Sequence, residues 1–138
     1  MSTPESVVRE LLDSLAAGDV DRAVDLLDAD VEWRNTYLPT FRGPQVAANL
    51  RDMVGRGIGF EVQWHHVAAE AAVDDPESGI VLTDRTDVLT YGRWTSEFWC
   101  RGTFEVRSGK VLVWDDAFSW VDVLGSGLVN LGRSLLPG

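Results

Sequence analysis

The run Thr83-Asp84-Arg85-Thr86-Asp87-Val88-Leu89 decides the fold, together with a second run, Val113-Trp114-Asp115-Asp116-Ala117-Phe118. Both runs are typical of β-strands, in which side chains two residues apart point to the same face. Arg85 and Asp87 therefore share one face, and Trp114, Asp116 and Phe118 share another. If these faces meet inside a barrel-like sheet, two carboxylates flank one guanidinium among aromatic walls. That is the layout of a general acid and a general base that share one organising cation.

The residues before these strands predict three helices and one further strand. Ser2-Thr3-Pro4-Glu5 combines capping residues with a proline suited to a first helical turn, and an apolar stripe at helical spacing continues to about Ala17. Asp19 can cap a second short helix whose apolar stripe reaches Leu27. A first strand is predicted from Val31 to Tyr37, followed by a loop over 38–41 and a third helix from Gly43-Pro44 to Gly55.

The second half of the chain predicts a sheet. Strands are expected at about 59–70, 79–90, 93–106 and 110–119. A turn over 74–79 and hairpins at Tyr91-Gly92 and Ser108-Gly109 join them. From Val121 onward, apolar residues predict a C-terminal helical segment, although its glycines weaken it. We therefore expect a single α+β domain over residues 1–138, in which the helices cover one face of a curved antiparallel or mixed sheet and leave a cone-shaped cavity.

Charge and composition argue against several classes of function. Twelve basic and twenty-two acidic side chains give a net charge of −10, which repels a phosphate backbone and an anionic membrane surface. We therefore expect no nucleic-acid partner. The N-terminus has no basic flank with an apolar core, and no apolar run is long enough to span a bilayer, so a cytoplasmic location is expected. The single Cys100 cannot form an internal disulfide and is expected to be a small buried filler.

Three short motifs carry a resemblance to a known family. Trp33-Arg34-Asn35, Arg85-Thr86-Asp87 and Trp114-Asp115-Asp116, in this order and in these strands, resemble the limonene-1,2-epoxide hydrolase family. The resemblance implies the cone-shaped fold that the family shares with nuclear transport factor 2 and ketosteroid isomerase. It also implies that water opens a small apolar, terpene- or sterol-like epoxide to a vicinal diol without a covalent intermediate. No cofactor and no metal ion are implied, and a homodimer is expected by analogy with the fold.

Residue by residue, the resemblance implies a division of labour in the site. Asp116 would be the base that activates a water, Asp87 the acid that protonates the epoxide oxygen, and Arg85 the bridge between them. Asn35 would help to hold the water. Trp33 stands where the family usually has a tyrosine; because an indole donates one hydrogen bond and accepts none, we expect it to orient the water without fully replacing a phenol.

The pocket wall is expected to include four further side chains: Trp114, Phe118, Leu89 and Tyr37. Tyr37 continues the strand face of Trp33 and Asn35, and its hydroxyl is a candidate substitute for the missing phenol. The alternating set Phe98, Cys100, Gly102 and Phe104 lines either the cavity or a packed helix, because parity alone does not decide. Asp84 and Asp115 are expected on the opposite, solvated face. Trp64, Trp94 and Trp120 are expected in the core or in surface contacts.

The chemistry also sets a requirement on the protons. Opening an epoxide in one step needs one ionised and one neutral carboxyl group at the same time. Two carboxylates around one cation in a cavity of low dielectric disfavour double ionisation, so the pair should retain a proton well above the pKa of a free aspartate, about 4. The resemblance assigns that proton to Asp87.

Two other functions stay open at this point. An isomerase or polyketide cyclase of the same fold would use one aspartate to remove a proton beside a carbonyl, but it gives Arg85 no task between two acids. A non-catalytic module that binds an apolar ligand or forms a dimer would use the three polar side chains as an anchor. One fold hosts many functions, so the site must distinguish them.

Overall fold

Helices cover one side of the molecule. The computed structural model describes residues 2–135; Met1 and residues 136–138 of the expected single domain lie outside this range. The helices are α1 (Pro4–Ala16), α2 (Val20–Asp25), α3 (Pro44–Gly55) and α4 (Trp120–Leu135). As predicted, α1 begins with Pro4 in its first turn, and the Thr3 hydroxyl accepts a hydrogen bond from the Ser6 N–H in a capping box.

One six-stranded sheet forms the other layer. Its strands are β1 (Leu27–Asn35), β2 (Phe41–Arg42), β3 (Gly59–Ala72), β4 (Asp75–Tyr91), β5 (Trp94–Arg107) and β6 (Lys110–Phe118). The spatial order is β2-β1-β6-β5-β4-β3, in which β1 and β6 are parallel and all other neighbours are antiparallel. The predicted α+β class and the mixed sheet are confirmed.

Several boundaries differ from the prediction. Strand β1 begins at Leu27, which was assigned to the second helix, and ends at Asn35 instead of Tyr37. The chain turns after Asn35, whose carbonyl accepts a hydrogen bond from the Leu38 N–H, and Tyr37 has a left-handed φ of 62°. Strand β2 was expected to be loop, and β4 starts at Asp75, inside the expected turn. Both hairpin turns are confirmed, with Ser108 and Gly109 both at positive φ, as a tight hairpin requires.

The main core lies between α1 and the concave face of the sheet. Val7, Val8, Leu11 and Leu12 of α1 are fully buried in one cluster with Phe104 of β5. Each fully buried aliphatic side chain of this kind contributes about 1.5–3 kcal/mol. Along β5 every second residue from Ser96 to Val106 is buried, so this strand presents one face to the interior.

Helix α4 closes the other end of the cone. It packs along β5, where the Ser96 hydroxyl donates to the Val123 carbonyl and the Asn130 side-chain amide donates to the Thr95 carbonyl. The ring of Trp94 lies against Gly127, so close that a Cβ at Gly127 would overlap it. Among the described residues, no helix has the length and apolar character needed to cross a bilayer.

Candidate active site

Arg85 is the centre of a buried ionic cluster. Its side chain is 0% exposed. Nε donates to Asp87 Oδ1 at 2.8 Å and Nη2 donates to Asp87 Oδ2 at 3.0 Å, so the contact with Asp87 is bidentate. Nη2 also donates to Asp116 Oδ1 at 2.9 Å. One guanidinium nitrogen is therefore hydrogen-bonded to both carboxyl groups, in the position that the family resemblance implied for Arg85. Its catalytic role stays a prediction.

The register of the sheet explains how side chains on two strands meet across a third strand. Asp87 and Arg85 lie on β4 and Asp116 lies on β6, with β5 between them. Gly102 of β5 pairs with Asp116, and a Cβ at this glycine would lie 2.6 Å from Arg85 Nη1 and 2.9 Å from Asp116 Oδ1. The missing side chain leaves the gap through which the guanidinium reaches Asp116.

Other donors and acceptors complete the cluster. Trp114 Nε1 donates to Asp116 Oδ2 at 2.9 Å, which leaves both oxygens of this carboxyl group hydrogen-bonded. Arg85 Nη1 donates to the Thr83 hydroxyl at 3.0 Å, and Nη2 lies 3.1 Å from Cys100 Sγ. Thr83 was not among the predicted site residues, because a threonine two residues before an arginine carries no distinctive signal on its own.

Burial shifts the titration of the cluster. Burial raises the pKa of Asp116, and the charge of Asp87 adds to the increase, while Arg85 opposes it. Burial also lowers the pKa of Arg85, but the charges of Asp116 and Asp87 outweigh that effect, so its net pKa is raised and the guanidinium stays charged. The raised pKa of Asp116 agrees with a pair that retains a proton. The raised pKa favours Asp116 as the group that holds this proton when no substrate is bound. The assignment of the proton to Asp87 in the reacting complex stays a prediction.

Cys100 is a buried neighbour of the cluster, as expected for a filler. Burial, followed by the charge of Asp116, raises the pKa of its thiol, which therefore stays protonated. Cys100 Sγ and the carboxylate oxygens of Asp87 and Asp116 lie within 4.8 Å of one another, as metal ligands do. Arg85 donates to all three and occupies the cluster with its own positive charge, so this donor set favours proton transfer over binding of a cation.

The cluster opens into a cavity of about 370 Å³. Five of the predicted water-positioning and wall residues line it: Trp33, Asn35, Leu89, Trp114 and Phe118. Phe98 and Cys100, whose direction parity left open, also face it. Tyr37 does not. It lies beyond the end of β1 and is 93% exposed, so the predictions that it lines the pocket and replaces the missing phenol are wrong.

The rest of the cavity wall is formed by residues that the sequence did not assign to the site. They come from α1, from the segment around β2, from α3 and the chain after it, from β3 and from α4: Leu15, Leu38, Phe41, Asn49, Leu50, Asp52, Met53, Val54, Ile58, Phe60, Trp120 and Val123. The apolar stripe of α3 was visible in the sequence as a buried side, but the pattern does not distinguish a stripe that packs on a core from one that borders a cavity. Trp120, expected in the core or at the surface, donates to the Thr36 carbonyl at 2.6 Å and borders the site.

Trp33 and Asn35 lie on β1, beside Trp114 and Asp116 of the neighbouring strand β6. In the parallel pairing of β1 with β6, Trp33 lies opposite Trp114 and Asn35 lies opposite Asp116. The Trp33 ring stacks on Trp114 with 4.5 Å between centroids. Among the described residues, Nε1 of Trp33 is the one buried side-chain polar atom that has no hydrogen-bond partner. A buried donor without an acceptor is costly, so it can bind an acceptor such as water or substrate oxygen.

The two aspartates that alternate with the site residues lie outside it. Asp84 accepts a hydrogen bond from Trp99 Nε1 on the outer face of the sheet, and the Asp115 side chain is 46% exposed beside Arg34. Both positions agree with the predicted parity. Substitutions of Asp84 and Asp115 are suitable controls for substitutions in the site, because each is an aspartate on the same strand as a site aspartate but points to the opposite face of the sheet.

Comparison with known proteins agrees with this geometry. Residues 2–128 match the limonene-1,2-epoxide hydrolase catalytic domain. The chain is 34% identical over 131 residues to epoxide hydrolase EphG of Mycobacterium tuberculosis, which covers 94% of this chain and 83% of that protein. It is similar to the solved structure of an M. tuberculosis LEH-like epoxide hydrolase, with a TM-score of 0.83 and 34% identity, covering 96% of this chain and 94% of the other.

A more distant likeness concerns the fold alone. A protein from Catenulispora acidiphila with a ketosteroid isomerase-like fold superposes with a TM-score of 0.71 at 16% identity, covering 91% of this chain and 94% of the other. The cone-shaped fold that the sequence predicted is therefore confirmed. Because the catalytic-domain match spans nearly the whole chain, the protein belongs to the limonene-1,2-epoxide hydrolase family and is an epoxide hydrolase of that family.

Proposed function

We propose that this epoxide hydrolase opens a small apolar epoxide to a vicinal diol in one step, by direct attack of water. The observation that carries the proposal is the bridge of Arg85 Nη2, which donates to Asp87 at 3.0 Å and to Asp116 at 2.9 Å. It holds two carboxyl groups on either side of one cation at the inner end of an apolar cavity. Such a pair can accept a proton at one group and donate a proton at the other.

In this mechanism Asp116 is the base and Asp87 is the acid. Water attacks a ring carbon of the epoxide and loses its proton to Asp116, while the carbon–oxygen bond breaks and Asp87 gives a proton to the departing oxygen. The oxygen of the water becomes one hydroxyl of the diol, and the former ring oxygen becomes the other. The cycle is complete when Asp116 releases the proton that it gained to solvent and Asp87 takes up a proton from solvent, as water replaces the departing diol.

The reacting form carries one proton on the pair, with Asp116 ionised. Burial raises the pKa of Asp116 and so favours the proton on Asp116 when no substrate is bound. The reacting form therefore requires that this proton lies on Asp87 once the epoxide and the water occupy the site. Activity should therefore fall at low pH, where a second proton binds, and at high pH, where the last proton leaves.

Asn35 and Trp33 are proposed to hold the attacking water. Their support is their position opposite Asp116 and Trp114 in the β1–β6 pairing, together with the unpartnered N–H of Trp33. An amide can both donate to and accept from a water, whereas the indole can only donate. The pair thus places one water within reach of Asp116 and leaves a lone pair of its oxygen free to attack.

An apolar substrate with a single polar function fits the cavity. Its wall is formed mainly by aliphatic and aromatic side chains, among them Leu89, Phe98 and Phe118, and its polar side chains are those of the cluster together with Asn35, Asn49 and Asp52. Such a pocket gains free energy from burying a hydrocarbon body and uses its few polar groups to orient the reacting atom. A terpene-like or sterol-like epoxide has this character.

Diol formation by purified protein tests the proposal. Limonene oxide, styrene oxide and a steroid epoxide would be incubated with the protein, and diols measured. Asp116→Asn and Asp87→Asn should each lower kcat by at least about a hundredfold, the usual contribution of a general acid or base. Asp115→Asn and Asp84→Asn are matched controls on the opposite face of the same strands and should leave kcat within about threefold.

Other outcomes would redirect the account. Turnover of a ketosteroid with all epoxides untouched would favour the isomerase of the same fold. Binding of the epoxides without turnover would favour the non-catalytic module. Equal loss of activity in the site variants and in their controls would show that general damage to the fold, not proton transfer, explains the loss.

We also propose that two copies pair through the outer face of the sheet. Ile80, Leu82 and Trp99 point away from the cavity on β4 and β5 and are 40%, 52% and 54% exposed. Ile80 and Leu82 are neighbours on this face of β4, and Trp99 lies farther along it, beyond the pair Asp84 and Arg101. Exposed apolar side chains grouped on one face can mark an interaction surface. Sedimentation should give a dimer mass that Leu82→Glu reduces to a monomer; a wild-type monomer would contradict the pairing. The cytoplasmic location stays a prediction from the sequence.

A further inference from the structure

We propose that Thr83 is a positioning residue for this reaction: its hydroxyl, anchored to the backbone of Gly102, orients the Arg85 guanidinium so that the opposite edge meets both carboxyl groups. The inference rests on the proposed function, because it assigns to Arg85 the bridge between base and acid. Nothing in the three motifs of the family resemblance includes Thr83.

The hydroxyl of Thr83 has no freedom left to rotate. It accepts a hydrogen bond from the Gly102 N–H at 3.2 Å, donates to the Gly102 carbonyl at 3.3 Å, and accepts from Arg85 Nη1 at 3.0 Å. A hydroxyl has one donor and two acceptor positions, so these three contacts use its full capacity. The direction in which it meets Nη1 is therefore determined by the backbone of β5.

The position of Nη1 affects which carboxyl oxygens the other two guanidinium nitrogens can contact. The group is planar and rigid, so a contact at Nη1 determines where Nε and Nη2 lie. Those two nitrogens make the fork on Asp87 and the bond to Asp116. If Nη1 loses its acceptor, the guanidinium can pivot about the fork on Asp87 and leave Asp116, since Asp116 is bound at a single oxygen.

Gly102 supports the same arrangement from the other side. Its N–H and carbonyl hold Thr83, and its missing Cβ leaves room for Arg85 Nη1 and Asp116 Oδ1. Thr83 and Gly102 lie directly opposite each other in the β4–β5 pairing. One cross-strand pair thus supplies both the acceptor for the guanidinium and the space through which it bridges two strands.

Thr83→Val tests the inference, because valine keeps the shape and removes only the hydroxyl. We expect kcat to fall by about tenfold or more, as for loss of a hydrogen bond to a charged group, with a much smaller change in KM. The acidic limb of the pH profile should move to higher pH, because Arg85 lowers the pKa of Asp116 and would do so less effectively. Thr83→Ser should recover most of the kcat and the original profile.

Two further variants separate the possible failures. Thr103→Val makes the same chemical change at an exposed position of β5 and should leave the kinetics unchanged. Asp116→Asn, measured in parallel, tests the underlying mechanism. Unchanged kcat and pH profile in Thr83→Val, beside an inactive Asp116→Asn, would overturn the positioning role alone; an active Asp116→Asn would overturn the proposed mechanism. Lost thermal stability in Thr83→Val with normal kcat per folded molecule would show a purely structural role and would also overturn the inference.

Discussion

At the scale of single residues, Trp33 is where this chain departs from the family pattern. Its indole stacks on Trp114, and Trp114 in turn donates to the carboxyl group of Asp116. Its own N–H is buried without a partner in the described part of the chain. A substitution that removes the N–H but keeps an aromatic wall can therefore separate water positioning from packing.

Trp33→Phe is expected to lower kcat by about fivefold and to leave KM nearly unchanged, because a hydrogen bond to the attacking water is worth about 1 kcal/mol. Trp33→Tyr, which restores a donor and acceptor, should be more active than Trp33→Phe. Steady-state kinetics of the two variants check this. A Trp33→Phe variant with wild-type kcat would assign Trp33 to the wall of the pocket only.

The directions of single side chains could be predicted from the two-residue alternation of β-strands. Alternation placed Arg85 and Asp87 on the face opposite to Asp84, and Asp116 on the face opposite to Asp115, because a strand has only two faces. The family resemblance then indicated which face points inward. Alternation failed at Tyr37, since where a strand ends depends on a backbone turn that apolar patterning does not record. The contact between Thr83 and Gly102 could not be predicted either, because it depends on the register between two strands.

At the scale of elements, α4 depends on one close approach to the sheet. Gly127 faces the Trp94 ring, whereas a Cβ at Gly125 would meet nothing within 4 Å. The glycines of α4 weakened the helical prediction, and at Gly127 the reason for the glycine is steric. The sequence did not decide whether Trp94 lies in the core or at the surface. In the structure, its ring is the side chain that requires a glycine at position 127.

Two alanine substitutions in α4 should have opposite effects. Gly125→Ala should stabilise the protein by up to about 1 kcal/mol, because alanine is the better helix former. Gly127→Ala should destabilise it, because the new methyl group collides with Trp94, and should raise KM, because Val123 and Trp120 of the cavity wall lie on the displaced helix. Urea unfolding and steady-state kinetics check both. Equal effects at the two positions would contradict the proposed packing of α4.

At the scale of the whole molecule, the buried carboxyl group of Asp116 couples folding to pH. Its pKa is raised in the folded protein, so its contribution to stability is fully present below the unfolded value of about 4 and is lost as pH rises through the folded pKa. An asparagine at position 116 does not ionise, so the Asp116→Asn variant does not lose this stability as the pH rises. Relative to wild type, the free energy of unfolding of the variant should therefore increase with pH over this interval, whatever constant offset the lost contact with Arg85 adds. Urea titrations at a series of pH values measure the difference, and a difference independent of pH would show that the pKa of Asp116 is not raised.

The fold as a whole was more predictable than the shape of its cavity. Helix stripes, hairpin turns and strand periodicity are local signals, and together they indicated the helices and the main strands. The wall of the cavity combines α3, α4 and the segment around β2, which lie far apart in the chain. Their meeting depends on tertiary packing, which no local pattern encodes.

The most direct measurement of the central claim follows the oxygen of the attacking water. In a single turnover with excess enzyme in ¹⁸O-labelled water, a base that activates water should place the label directly in the diol and leave every aspartate of the protein unlabelled. Unlabelled diol from that first turnover, with ¹⁸O appearing in the carboxyl group of Asp116 or Asp87, would reveal a covalent ester and contradict the account.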